Sequence, residues 1–410
     1  MKLSWIGRAA LPLVLALAGC SKADDYYPAE SPGSSYEALK DDPSVGEGAD
    51  MPNDGGGQHQ EGAAGVLTAA EWNDLDNWSF WTKLIRNQQW TSSFSVWNFN
   101  TTARVAVKVK DAQDGPAVNV PVVLYRSNTL VWEARTDNTG EVNLWVDLFG
   151  EELGEVSTEG LSISVSGVAQ AEAPAVTTAQ DEEVVWNEYK VDNAAAPASK
   201  ADIAFIVDAT GSMTDEIDFL KKDLLSILES VAQQQQNIEI RTGAVFYRDK
   251  GDDYLTRTDA FTTKVSKTMA FIKEQEADGG GDLPEAVHSA LEASLDKKNL
   301  DWNTAARSRI AFLILDAPAH YDHNGVLDSI DDSIAQFAKM GIRLIPVLAS
   351  TGDKSTEFMC RYFAIATGGT YVFLTDDSGV GNSHLEPSVG DYKVEKLKDL
   401  MIRLIKEAII

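Results

Sequence analysis

The run Ala201-Asp-Ile-Ala-Phe-Ile-Val207 constrains the fold more than any other stretch, because it is almost continuously apolar and closes on a carboxylate, Asp208. A strand of this kind has no polar face to give to water, so both of its sides must be covered. Arg309 to Leu315, Ile342 to Leu348 and Thr370 to Leu374 repeat the pattern; Glu239 to Tyr247 also reads as a strand, and Asp253 to Phe261 as a more polar edge strand. Between them Thr214 to Ala232, Pro284 to Leu295, Leu327 to Met340, Glu357 to Thr367 and Val394 to Ile409 carry a helical period. Apolar strands alternating with amphipathic helices predict an α/β domain over residues 200–410, built on a doubly wound, mostly parallel sheet. Ligands of such sheets sit at the carboxyl ends of the strands, where the strand order reverses.

The chain ahead of that domain changes character several times. Lys2 and Arg8 precede an apolar stretch, Ala9 to Ala18, which closes with Leu17-Ala18-Gly19-Cys20. This resembles a bacterial lipobox, which implies a signal peptide over residues 1–19 and an acylated Cys20 that anchors the mature chain to a membrane. Ser21 in place of Asp after that cysteine implies, by the same resemblance, the outer membrane, on its periplasmic or outer face. Residues 20–65 are rich in Asp, Glu, Gly, Pro and Ser and are expected to form a disordered acidic tether. Residues 66–99 carry Trp72, Trp78, Trp81, Trp90 and Trp97, expected to pack onto the next domain rather than to stack on sugars, while Thr68 and Glu71 read as a capping box that starts a short helix.

Over residues 100–192 short alternating runs such as Arg104 to Lys110, Val118 to Tyr125, Thr129 to Thr136 and Glu141 to Val146, separated by turn residues, predict a small antiparallel β-sandwich. The turns Asp114-Gly115-Pro116 and Asp137-Asn-Thr-Gly140 make this part resemble the carboxypeptidase-regulatory-like and immunoglobulin-like modules, whose usual role is that of a spacer or packing partner. Only two cysteines exist; with Cys20 acylated, Cys360 has no disulfide partner and reads as a small buried hydrophobe.

Charge narrows the partners. Lys and Arg number 35 against 63 Asp and Glu, a net charge of −28, and no cluster of basic residues interleaved with aromatics offsets it, so nucleic acid is excluded as a partner. No glycine loop carries a P-loop lysine, which argues equally against a nucleotide.

The chemistry is concentrated after the first apolar strand, in Asp208-Ala-Thr210-Gly-Ser212. One carboxylate and two hydroxyls at i, i+2 and i+4 on a tight loop are able to face one point. Oxygen donors of this kind suit a hard divalent cation, Mg²⁺ first and Mn²⁺ or Ca²⁺ next, and not zinc or copper. A second carboxylate, Asp316, ends another strand, and Asp278-Gly-Gly-Gly-Asp282-Leu-Pro-Glu285 lies between the two as a flexible glycine loop.

Together these segments resemble the von Willebrand factor A domain, a Rossmann-like fold, and its metal-ion-dependent adhesion site, whose first motif, Asp-x-Ser-x-Ser, reads here Asp208-x-Thr210-x-Ser212. The resemblance implies Ser212 and Thr210 as direct ligands, with Asp208 and Asp316 acting mostly through waters. The family's isolated threonine has no obvious counterpart, and Asp282 is the candidate in its place. The resemblance further implies a protein ligand that completes the coordination with an Asp or Glu carboxylate.

The function expected is therefore that of a lipid-anchored envelope protein that binds a protein through a divalent cation and is not an enzyme. A scaffold or accessory subunit of an envelope complex is the alternative, and a metal-assisted hydrolase a third. For a hydrolase, Ser212 lacks the Gly-x-Ser-x-Gly elbow and a placed histidine. His320, Asp322 and His323 lack a third zinc ligand at a recognised spacing and read as a polar loop, and His288 as a helix-surface residue.

Overall fold

A computed structural model of the chain describes residues 67–409 apart from 151–155, 182, 193–195, 197, 235–236, 282, 350–351 and 379–382. Cys20, the signal and tether segments and Asp282 lie outside the described residues.

The first described element is a strand, β1 (Thr68–Trp72), followed by helices α1 (Trp78–Leu84) and α2 (Gln88–Trp97). Strand β1 corrects the helix start expected at Thr68. Instead of capping a helix, Thr68 pairs with Thr375, their hydroxyls 2.8 Å apart, and Glu71 pairs with Arg403 at 2.8 Å. A capping box is a local preference, and sheet pairing with a segment some 300 residues away overrides it. The five tryptophans of this segment are all buried. Trp78 meets Trp145 at 5.9 Å, whereas Trp81 and Trp90 lie 6.1 and 5.6 Å from Phe358 and Trp97 lies 5.6 Å from Tyr321. They pack onto both of the parts that follow, where the sequence suggested only the nearer one.

Beyond this come β2 (Ala103–Lys110), β3 (Pro121–Arg126), β4 (Thr129–Arg135), β5 (Glu141–Trp145), β6 (Leu161–Val165), β7 (Val168–Ala169), β8 (Thr177–Thr178) and β9 (Trp186–Lys190). They form two four-stranded sheets, one of β5, β2, β8 and β9 and one in the order β4-β3-β6-β7. Pairing is antiparallel except between β2 and β9, which run parallel, contrary to the expectation of a purely antiparallel module. Val105, Val107, Val122, Leu124 and Ile163, alternate residues of β2, β3 and β6, share one apolar core.

The large sheet is built from β10 (Ala198–Asp208), β11 (Glu239–Tyr247), β12 (Thr256–Thr262), β13 (Ala306–Leu315), β14 (Ile342–Leu348), β15 (Tyr371–Thr375) and β16 (Glu395–Lys396), together with β1. Its helices are α3 (Thr214–Gln234), α4 (Val265–Lys273), α5 (Val287–Leu295), α6 (Val326–Met340), α7 (Lys354–Thr367) and α8 (Leu397–Ile409). The order is β12-β11-β10-β13-β14-β15-β1-β16. The run β11-β10-β13-β14-β15 is parallel, while β12, β1 and β16 are added antiparallel, so the sheet is mixed.

Alternation along β10 explains why its sequence is so apolar. Ile203, Phe205 and Val207 face a layer containing Leu220 and Leu224 of α3 and Leu400 and Ile405 of α8. Ala204 and Ile206 face the opposite layer, with Leu291 of α5, Ile334 of α6 and Tyr362 of α7. Phe205 stacks on Phe312 of β13 at 5.8 Å and 12°. The chain exits β10 and then β13 in opposite lateral directions, to β11 on one side and β14 on the other, so their carboxyl ends border one crevice. Among the described residues no helix is long and apolar enough to cross a membrane.

Candidate functional site

Asp208 is the last residue of β10 and is fully buried. Its Oδ1 accepts two bonds from Thr210, from the backbone N–H at 2.9 Å and from the hydroxyl at 2.7 Å, which folds the loop back over the strand end. The Thr210 and Ser212 hydroxyls are 3.2 Å apart. Thr210 is buried, and Ser212 is partly open to solvent. Carboxylate and hydroxyls therefore converge as the i, i+2, i+4 spacing anticipates. The chain then makes a 3-10 turn, Gly211–Met213, and enters α3.

The glycine loop lies directly against these residues. Gly211 donates to the Gly279 carbonyl at 3.1 Å, and Asp278 donates to the Ala209 carbonyl at 3.0 Å. Gly280 has φ +73°, and a Cβ there would stand 3.0 Å from Glu285 Oε1 and 3.2 Å from Thr210 Cβ. Glycine is thus required at this position both for its left-handed backbone and for the close approach. Asp282, the candidate for the missing threonine, lies in this loop outside the described residues.

Glu285 is a site residue the sequence does not single out, because Pro-Glu there reads as an ordinary helix first turn. The helix begins two residues later, at Val287. Glu285 instead extends alongside the loop after β13, its N–H donating to the Pro318 carbonyl at 2.9 Å, and is 1% exposed. Asp316, at the end of β13, is also buried.

Burial pushes the Asp208 carboxyl up to about 7, with Asp316 raising it further and the Thr210 bonds opposing. Glu285 is pushed up to about 9, by burial first and then by Asp208, Asp249, Asp316 and Asp252. The Tyr247 hydroxyl is raised well above its ordinary value by burial and then by Asp208, Glu285 and Asp316. Arg248 does not neutralise the cluster. Its guanidinium donates to the Ala209 carbonyl at 3.1 Å and the Glu276 carbonyl at 2.8 Å, and among the described residues its carboxylate contact is Asp278 at 3.8 Å. Among the described residues Asp208 Oδ2 and Glu285 Oε2 are buried with no hydrogen-bond partner.

Buried carboxylates without a counter-charge have two ways out: they keep their protons, or they face a cation. Neutral hydroxyls at 3.2 Å beside carboxylate oxygens form an oxygen-only donor set of the type that hard divalent ions take. The residues present fit such an ion.

Residues 202–355 match the family model of the von Willebrand factor A domain, a span that contains Asp208, Thr210, Ser212, Glu285 and Asp316. The chain is 31% identical over 213 residues to the alpha-protein kinase vwkA of Dictyostelium discoideum, which covers 51% of this chain and 33% of that protein. It is 33% identical over 125 residues to the ariadne-like RING finger protein R811 of Acanthamoeba polyphaga mimivirus, covering 30% of this chain and 12% of that protein. The chain thus spans a third or less of the length of these curated relatives.

Proposed function

We propose that the von Willebrand factor A domain at residues 202–355 binds a divalent cation, Mg²⁺ first and Mn²⁺ or Ca²⁺ next, and through it a protein partner that offers an Asp or Glu carboxylate. Thr210 and Ser212 serve as direct ligands, Asp208 and Asp316 hold the ion from behind, and Asp282 fills the place of the family's threonine. The observation that carries this reading is the pair of buried carboxylate oxygens, Asp208 Oδ2 and Glu285 Oε2, that have no hydrogen-bond partner among the described residues and stand next to two converging hydroxyls. Hydroxyl ligands leave the ion's charge largely uncancelled on its open side. On a protein of net charge −28 this gives an acidic partner one locally attractive point, and makes attachment dependent on the ion.

The protein acts in this reading as a binding protein and not as an enzyme, anchored through acylated Cys20 to the outer membrane. Support for the anchor is the sequence Leu17-Ala18-Gly19-Cys20 behind a basic and apolar leader. The test is crosslinking in intact cells of the wild type and of a Ser212→Ala/Asp316→Ala double variant, each with and without chelator. The expected result is a set of partners captured by the wild type and lost both on chelation and in the variant. Capture of one and the same set under all conditions overturns the proposal.

A further inference from the structure

A cavity of about 110 Å³ lies where β4 and β5 meet the amino ends of β13 and β14, at the far end of the parallel strands from Asp208 and Asp316. Its lining brings together Arg104, Arg135, Arg307, Arg309 and Arg343, five guanidiniums on a chain of net charge −28. Three acids line it as well. Glu141 is paired with Lys108 at 2.7 Å, Asp137 reaches Arg343 only at 4.0 Å, and burial pushes the Asp76 carboxyl up against the pull of Arg104.

Arg135 of β4 and Arg309 of β13 meet at one oxygen. Asn119 Oδ1 accepts from Arg135 Nε at 2.7 Å and from Arg309 Nη2 at 2.6 Å. Gly341, the left-handed residue that ends α6, is packed against both side chains, since a Cβ there would stand 3.0 Å from Arg135 Cβ and 3.0 Å from Arg309 Nη2. A guanidinium carries five donors. Arg309 spends four of them, on the Met340, Asn303 and Ala306 carbonyls and on Asn119, which leaves one. Arg135 spends two, both on Asn119, which leaves three without an acceptor among the described residues. All of these bonds go to neutral oxygens, so none of them answers the charge. Burial, and then Arg135, push the Arg309 guanidinium down to about 10, with Asp202 opposing and Arg343 adding to the push, and it stays charged at neutral pH.

We propose that Arg135 and Arg309 hold a free tetrahedral oxyanion, of the phosphate and sulfate class, in this cavity, and that the ion ties β4 to the large sheet. Two like charges that cannot shed their protons repel in a buried setting, and an anion between them turns the repulsion into a bridge. Guanidinium forks suit oxyanions, to which they donate in pairs. The size of the cavity selects a bare ion, because an organic ligand needs roughly 300–1,000 Å³. Arg309 is 2% exposed, whereas Arg135 is only partly buried, so the ion enters from the side of Arg135.

The test is equilibrium dialysis of the full chain against labelled inorganic phosphate, in dilute buffer with a chelator so that no cation beside Ser212 carries the ion. The expected result is a single equivalent of phosphate, displaced by sulfate. Arg135→Gln should weaken that binding by at least about tenfold, with circular dichroism unchanged. Lys339→Gln is the control, since it removes a charge from the same contact of α6 with β4, where Lys339 pairs with Glu133 at 3.0 Å, and it should leave the affinity as it was. Phenyl phosphate, the same charge on a larger group, should bind more weakly than phosphate. No uptake by the wild type overturns the proposal. Wild-type affinity in Arg135→Gln overturns it too and marks an adventitious ion only, and an equal loss in Lys339→Gln reduces the effect to general charge. Phenyl phosphate bound as tightly as phosphate overturns the assignment to a free ion. Because the cation site is kept empty throughout, each of these results leaves the reading of Thr210 and Ser212 untouched.

Discussion

Replacing Glu285 with glutamine should stabilise the cation-free protein, although it removes a buried carboxyl group. In the folded chain this carboxyl titrates at about 9, against an ordinary value of 4.5, so between those limits the folded state holds a proton that the unfolded state has released. The folded state then binds more protons, and stability must fall as pH rises through that window. Near pH 7 the environment is about 2.5 pH units above the ordinary value, which at about 1.36 kcal/mol per unit costs the wild type about 3 kcal/mol. Glutamine resembles the protonated form in both states and avoids this cost, less about 1 kcal/mol if one amide proton is left without an acceptor. Urea unfolding followed by circular dichroism should show no advantage of Glu285→Gln near pH 4, a gain of about 2–3 kcal/mol near pH 7, and more toward pH 9. Excess Mg²⁺ should close the gap from the other side, because a cation at a hundred times its Kd stabilises the wild type by about 2.7 kcal/mol, and the variant has lost one of the charges that attract it. A variant that is less stable than the wild type at every pH, with no trend, would refute the reasoning and mark Glu285 as an ordinary structural acceptor.

Three other outcomes are expected. Arg361 is fully buried and donates to Asp74 at 2.8 and 2.6 Å while also meeting Glu357 at 3.2 Å, so Asp74→Ala should cost about 3–5 kcal/mol in denaturant unfolding by stripping a buried guanidinium of one of its partners. Gly280→Ala, which places a methyl against Glu285 and Thr210 at a left-handed backbone position, should cost about 1–2 kcal/mol and weaken Mg²⁺ binding in calorimetry. Burial pushes the Cys360 thiol well up, so alkylation of Cys360 in the native protein should be slow over the neutral range and become rapid only on unfolding, as read by mass spectrometry.

What the sequence makes legible is what is local. The run through Val207 and the hydroxyls of Thr210 and Ser212 are readable because strand burial and an i, i+2, i+4 loop are short-range properties, and the structure brings these two hydroxyls together with the Asp208 carboxylate. The edge of the large sheet is not local. Strand β1 forms because Thr68 to Trp72 find β15, and a capping-box pattern gives no hint of that partner. Helix α4 is the exception, a local signal passed over, since Val265, Met269 and Ile272 carry a helical i, i+4, i+7 period just after the edge strand. The role of Glu285 likewise depends on where the chain entering α5 sits against the loop after β13, which its neighbours in the sequence do not reveal. The parallel β2–β9 pair escapes for the same reason, since an alternating pattern sets which face a strand buries but not the direction of its neighbour.

The cation site itself is tested most directly by anomalous scattering from crystals of the full chain soaked in Mn²⁺. The account requires a strong peak within bonding distance of both the Thr210 and Ser212 hydroxyl oxygens, with Asp208 and Asp316 around it, and no such peak in Ser212→Ala crystals treated alike. Fully soaked wild-type crystals with no manganese between those hydroxyls would contradict it.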